Sequence, residues 1–167
     1  MIGLPKWEDR ETSDDWIKVD AKMTYLDVGK NGHVWALNNQ GELFWREGIT
    51  VENIIGTEFV QKEYPALHGT FTGLGYCTNG HLWAMNGQGQ LFFKDGITQT
   101  DLLGEVGTWT QDTSASVDEN MAAQITCGYR GQFAMVTTQG QMMVKNLVNY
   151  ADPMGLQRGW HLSLIHI

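Results

Sequence analysis

At 167 residues, the chain has room for one domain or a small pair, and 42% hydrophobic with 11% aromatic content is enough for a packed core. Eleven Lys and Arg against 19 Asp and Glu leave a net charge of -8, without the basic face that binding naked nucleic acid requires. No apolar run approaches the roughly 20 residues of a membrane-spanning helix, and the opening Met1–Trp7 lacks the basic and apolar regions of a signal peptide.

In chain order, Trp16–Val19 predicts a first short strand and Thr24–Val28 a second. Gly29-Lys30-Asn31-Gly32 supplies the Asn-Gly of a tight hairpin turn, because both residues tolerate positive φ. His33–Leu37 is the third strand, Asn38–Gly41 the next turn and Glu42–Arg46 the fourth strand. The same order then returns. Asn31–Thr50 and Asn79–Thr98 share 13 of 20 positions at an offset of 48, and Arg130–Lys145 is a weaker third copy. In all three, two glycines stand nine residues apart: Gly32 and Gly41, Gly80 and Gly89, Gly131 and Gly140. Aromatic residues open the units at Trp16, Phe59, Trp109 and Trp160, spaced by 43, 50 and 51 residues.

Four short strands recurring every 48 to 51 residues, with the third almost continuously apolar, describe a sheet covered on both faces by its neighbours. That is the blade of a β-propeller. A sandwich would not repeat its sequence, and β-trefoil units are shorter. The expected fold is all-β with three four-stranded blades over about residues 16–58, 59–108 and 109–160.

The residues that carry the repeat are Gly-x-Asn-Gly-x-(Val/Leu)-Trp-Ala-(Leu/Met)-Asn, then Gly-x-Leu-Phe, then Gly-Ile-Thr. A Gly-Thr-x-aromatic element follows at Gly56-Thr57-Glu58-Phe59, with Gly107-Thr108-Trp109 in the next unit. This pattern resembles the tectonin β-propeller repeat over about residues 16–160. The third copy departs from it, with Ala134 where Trp35 and Trp83 stand and Asn146-Leu147-Val148 in place of Gly-Ile-Thr. The resemblance implies half of a six-bladed ring, its open faces closed by the remaining blades or by self-association. The last six residues, Leu162–Ile167, follow no repeat and match the translation of a transposon-end sequencing adapter, so 162–167 is read as non-native and 1–161 as a partial propeller.

Cys77 and Cys127 lie 50 residues apart without Cys/His zinc spacing around them. A disulfide would suit a secreted protein; two buried thiols are the expected reading. No nucleophile elbow, zinc-protease motif or P-loop is present, so neither an enzyme nor a cofactor is expected. From Asp95 to Tyr129 six acids stand without a Lys or Arg, and they read as a solvated acidic stretch.

Among candidate binding residues, His33 and His81 occupy equivalent positions and would line neighbouring blades at matching heights. Trp35 and Trp83 offer a sugar-stacking face, yet their apolar neighbours place them between blades. Up-and-down topology puts the turns at Lys30, Asn31, Thr78, Asn79 and Arg130 at one end of the propeller. The turns at Asn38–Gln40, Asn86, Gln88 and Thr137–Gln139 fall at the other. Amides and hydroxyls suit glycans, and Arg46 and Lys94 with Lys30, Arg130 and Lys145 would favour an anionic glycolipid if they share a face. The candidate ligand set is therefore Asn31, His33, Arg46, Asn79, His81 and Lys94.

The resemblance implies a lectin for microbial or cell-surface glycans or lipopolysaccharide, acting in innate defence or agglutination, with an extracellular setting favoured over a cytoplasmic one. The alternative it implies is an intracellular protein-interaction propeller, of the kind associated with membrane traffic and autophagy.

Overall fold

The computed structural model describes residues 17–29, 32–77, 81–97, 101, 103–105, 107–115, 121–128, 132–145 and 160–162, with only the backbone of 115, 161 and 162. Among the described residues, twelve strands form three antiparallel sheets of four. The first sheet contains β1 (Tyr25–Val28), β2 (Val34–Leu37), β3 (Leu43–Arg46) and β4 (Phe59–Lys62). The second contains β5 (Phe71–Tyr76), β6 (Leu82–Asn86), β7 (Leu91–Lys94) and β8 (Trp109–Asp112). The third contains β9 (Ala122–Cys127), β10 (Phe133–Thr137), β11 (Met142–Lys145) and β12 (Trp160–Leu162). Strands pair in sequence order within each sheet, so every connection is a simple antiparallel return.

The tight turns owe their shape to side chains as well as glycine. Asn38 Oδ1 accepts hydrogen bonds from the N–H groups of Gln40 and Glu42, and Asn86 Oδ1 from those of Gln88 and Gln90, all at 3.0 Å. Thr137 Oγ1 accepts from Gln141 N at 3.1 Å in the third copy. These Asx and Thr turns close on Gly41 (φ 75°) and Gly89 (φ 72°). Glycine is needed there twice over. A Cβ on Gly41 would run into Thr70 and the Phe71 carbonyl, and one on Gly89 into the backbone of Ala122, where the following sheet begins. Two of the amides expected at this end, Asn38 and Asn86, are instead engaged in shaping it.

Alternation along the strands aims one face of each sheet at the sheet before it and the other at the sheet after it. Trp35, Leu37, Leu43 and Trp45 of the first sheet pack on Leu74, Tyr76, Leu82, Ala84, Phe92 and Trp109 of the second. Trp83, Met85, Leu91 and Phe93 leave the other face of the second sheet to meet Ile125, Phe133, Met135 and Met143 of the third. The Trp83 and Phe133 rings stack at 4.3 Å. The first strands β1, β5 and β9 lie side by side, and Asp27 Oδ2 accepts a 2.6 Å hydrogen bond from Tyr76 N between the first two sheets. Burial raises the Asp27 pKa, partly offset by the N–H groups of Tyr76 and Val28 that donate to it.

The two outermost faces carry apolar side chains into solvent. Leu26 is 61% and Val28 52% exposed on the first sheet, and Val136 and Met142 are exposed on the third.

Three expectations change. Residues 17–20 form no strand, and Trp16 lies outside the described residues. Phe59, Trp109 and Trp160 do not open their sheets; they lie in the last strand of the preceding one. Each sheet therefore takes its final strand from beyond the expected limits at 58/59 and 108/109, because a sequence repeat has no intrinsic phase and hydrogen bonding alone sets it. Finally, Cys77 and Cys127 are joined in a disulfide rather than left as thiols, because β5 and β9 bring their Cα atoms to 4.9 Å. Leu162, the first residue of the tail read as foreign, pairs with Met143 in β12.

The disulfide ties the second sheet to the third across a separation of 50 residues. Chain-entropy arguments give a loop of that length about 4 kcal/mol. Urea unfolding with and without dithiothreitol should differ by about 2 to 4 kcal/mol, and the Cys77→Ala, Cys127→Ala double variant should match the reduced protein.

A ligand site between the first two sheets

At the end of the third strand of every sheet stands a cation, paired in register with an aromatic residue of the fourth: Arg46 with Phe59, Lys94 with Trp109, Lys145 with Trp160. Lys94 and Lys145 occupy the face directed at the preceding sheet, and Arg46 the corresponding outer face of the first. The Arg46 guanidinium lies 4.8 Å from the Phe59 ring centre, and its Nε donates to Ile55 O at 2.9 Å. Lys94 Nζ donates to Gly104 O at 2.6 Å and Gly107 O at 2.8 Å. Both cations thereby pin the long loop that links the third and fourth strands of their sheet.

Lys145 is wholly buried and has a different partner. Its Nζ lies 2.6 Å from Asp112 Oδ2 of the second sheet and donates to Ser114 Oγ at 3.0 Å, with the Trp83 and Trp160 rings 5.7 and 5.2 Å away. It is the only ion pair within 4.0 Å among the described residues. Asp112 thus leaves the solvated acidic stretch expected for its segment and becomes a buried counterion.

Asp112 pairs with Leu91 in its sheet, and the residue in the same position of the first sheet, opposite Leu43, is Lys62. Between the first and second sheets, two lysines therefore stand where the next interface has a lysine and a carboxylate. A cavity of about 170 Å³ opens there, lined by Trp35, Leu43, Lys62 and Glu63 on one side and by Lys94, Leu103, Gly104, Glu105 and Trp109 on the other. Trp35 and Trp109 are 1% and 9% exposed, and neither indole Nε1 has a hydrogen-bond partner among the described residues. Desolvation lowers the Lys94 pKa, opposed by the nearby Asp95 and Asp101.

The four expected ligand residues that are described do not converge. Asn31 and Asn79 lie outside the described residues. His33 stacks on Trp45 at 4.8 Å and His81 meets Phe93 edge-on at 5.3 Å, which puts both on the faces opposite those of Arg46 and Lys94 in their own sheets. Burial depresses both histidines, His81 to about 4. Arg46 faces a wider hollow under the 18–23 segment. Of the four that are described, Lys94 alone lines the cavity. Sequence reasoning missed Lys62, and the signal was the non-identical pair Lys62 and Asp112 at equivalent positions of two repeats. Among the described residues, no group of three or more His, Cys, Asp or Glu is placed to hold a metal ion, and no helix is long and apolar enough to cross a membrane.

The chain matches the family model described as Tectonin domain over residues 6–164. It belongs to the tectonin family. No curated protein matches this tectonin chain in sequence. Among solved structures, human WBSCR16 superposes with a TM-score of 0.55 at 14% identity, over 87% of this chain and 38% of that one. YCF48 from Cyanidioschyzon merolae gives 0.52 at 14% identity, over 84% and 36%. At that identity the likeness concerns the fold, a β-propeller, and the tectonin chain spans little more than a third of the length of either structure.

Two consequences are measurable. Asp112→Ala strands a buried ammonium and should cost about 3 to 5 kcal/mol in urea unfolding, while the Asp112→Leu, Lys145→Met double variant should cost less than that single change. For His81, the folded pKa of about 4 lies below the unfolded value near 6.5, so the unfolded chain binds more protons between those pH values. Stability should therefore fall as pH drops from 6.5 towards 4, by up to about 3 kcal/mol from this group. A His81→Gln variant should flatten that part of a melting-temperature profile.

Proposed function

We propose that the protein is a carbohydrate-binding tectonin lectin working outside the cell, and that its ligands are glycans of microbial or host surfaces. The observation that carries this choice is the Cys77–Cys127 disulfide, since such bonds persist in oxidising compartments and are rare in the cytosol. The cavity between the first two sheets supports it, with buried indole N–H donors, a lysine on each wall and two glutamates, a mixture suited to a hydroxyl-rich ligand. Of the residues first considered, Lys94 is assigned to ligand binding, Arg46 to holding the loop of its own sheet and His81 to the packing between sheets.

The second reading, an interaction propeller inside the cell, draws support from the exposed apolar faces of the first and third sheets. An array of immobilised glycans together with lipopolysaccharide, probed with the full chain, separates the two. Saturable binding to at least one glycan, competed by the same glycan in solution, is the expected result. Failure to bind any of them, with the disulfide verified intact, removes the lectin reading.

A further inference from the structure

The two internal interfaces are copies of one design, and their difference says what the first is built to receive. In both, a buried tryptophan of the leading sheet (Trp35 or Trp83) and one from the last strand of the following sheet (Trp109 or Trp160) flank a lysine (Lys94 or Lys145). At the second interface, the chain supplies the anion itself, the Asp112 carboxylate, 2.6 Å from Lys145 Nζ. At the first, the Asp112 position is Lys62, so the wall that should offer a counterion offers a second cation. Neither Lys62 nor Lys94 has a carboxylate within 4.0 Å among the described residues, although Glu63 and Glu105 also line the cavity.

We propose that the cavity between the first and second sheets binds the carboxylate of an acidic sugar, seated between Lys62 and Lys94 where Asp112 sits against Lys145 in the next interface.

The donor count fits this ligand. Lys94 spends two of its three ammonium hydrogens on Gly104 O and Gly107 O, which fixes the head group and leaves one hydrogen for a ligand. The Trp35 and Trp109 N–H groups are donors only and have no acceptor among the described residues, as is also true of Trp83 and Trp160 at the second interface. A carboxylate offers two oxygens and about four lone-pair sites, and can serve the lysines and an indole together. The polar acceptors on the walls, Glu63 and Glu105, are placed to take hydrogen bonds from hydroxyl groups, which an acidic sugar has and a bare carboxylate lacks. Their negative charge disfavours an anion of higher charge, which selects the monovalent carboxylate over a divalent phosphate. A volume of about 170 Å³ equals that of about five or six water molecules, at roughly 30 Å³ each, and suits a single ring rather than a chain.

The sugar in this proposal rests on the lectin reading; the carboxylate rests on the repeat comparison alone. Heteronuclear NMR of the full chain, following indole Nε1–H resonances during titration with glucuronate, glucose and acetate, tests the two separately. Assignment comes from Trp35→Phe and Trp109→Phe. The expected result is that glucuronate shifts the Trp35 and Trp109 signals with at least tenfold higher affinity than glucose. The shift should vanish in Lys94→Met and persist in Lys94→Arg, the residue the first repeat carries at this position. Equal response to glucuronate and glucose overturns the carboxylate and leaves the lectin reading standing. A response to acetate as strong as to glucuronate upholds the carboxylate and removes the sugar ring from this cavity. No response to any of the three overturns the site, whatever the glycan array shows. The wild-type titration decides the matter even if a lysine variant fails to fold, and dispersion of the remaining indole signals reports folding in each variant.

Discussion

No sheet of this protein can exist alone. The second sheet buries apolar side chains on both faces and the first on one, so Trp35 and Trp45, or Trp83 and Phe93, are out of water only while the next sheet is present. Everything else follows from that mutual burial. The turns must close without bulk because the next sheet begins against them, which is why Gly41 and Gly89 are glycines with positive φ. The first strands must run side by side, which brings Cys77 to Cys127 and the Asp27 carboxylate to the Tyr76 amide. The same packing leaves Leu26 and Val28 on the outer face of the first sheet and Val136 and Met142 on that of the third exposed.

Burial between sheets also explains why basic residues that look like surface ligands do other work. Each sits at the outer end of a third strand, beside an aromatic ring and a loop that must be held down. Arg46 and Lys94 donate to backbone carbonyls of the loop in their own sheet, and Asp95 and Asp101 lie near Lys94. Lys145, wholly buried, is paired to the Asp112 carboxylate. The repeat thus keeps the cation and varies its partner, and that variation turns one interface into a closed contact and its neighbour into a cavity.

The fold was legible because its signals are local and recur. Asn-Gly and Asn-x-x-Gly turns, alternating strands and a 48-residue offset announce a blade without reference to distant residues. The phase of the blade was not legible. Phe59 reads equally well as the first residue of one unit or the last strand of another, and only its pairing with Arg46 decides. Of the four expected ligand residues that are described, the cavity contains one, Lys94. Equivalence in sequence places His81 and Lys94 at fixed heights in a blade, but the face each one takes depends on strand parity and on which neighbour covers it.

The sequence by itself determined that this chain is built of four-stranded repeats of the tectonin kind, since turn chemistry and periodicity act over a few residues. The tertiary structure alone decided that Cys77 meets Cys127, that Asp112 neutralises Lys145 and that Lys62 confronts Lys94 across a cavity. Those pairings join residues 32 to 50 positions apart, on different sheets. Only the stacking of one sheet on the next, driven by the burial of their tryptophans, brings them within reach.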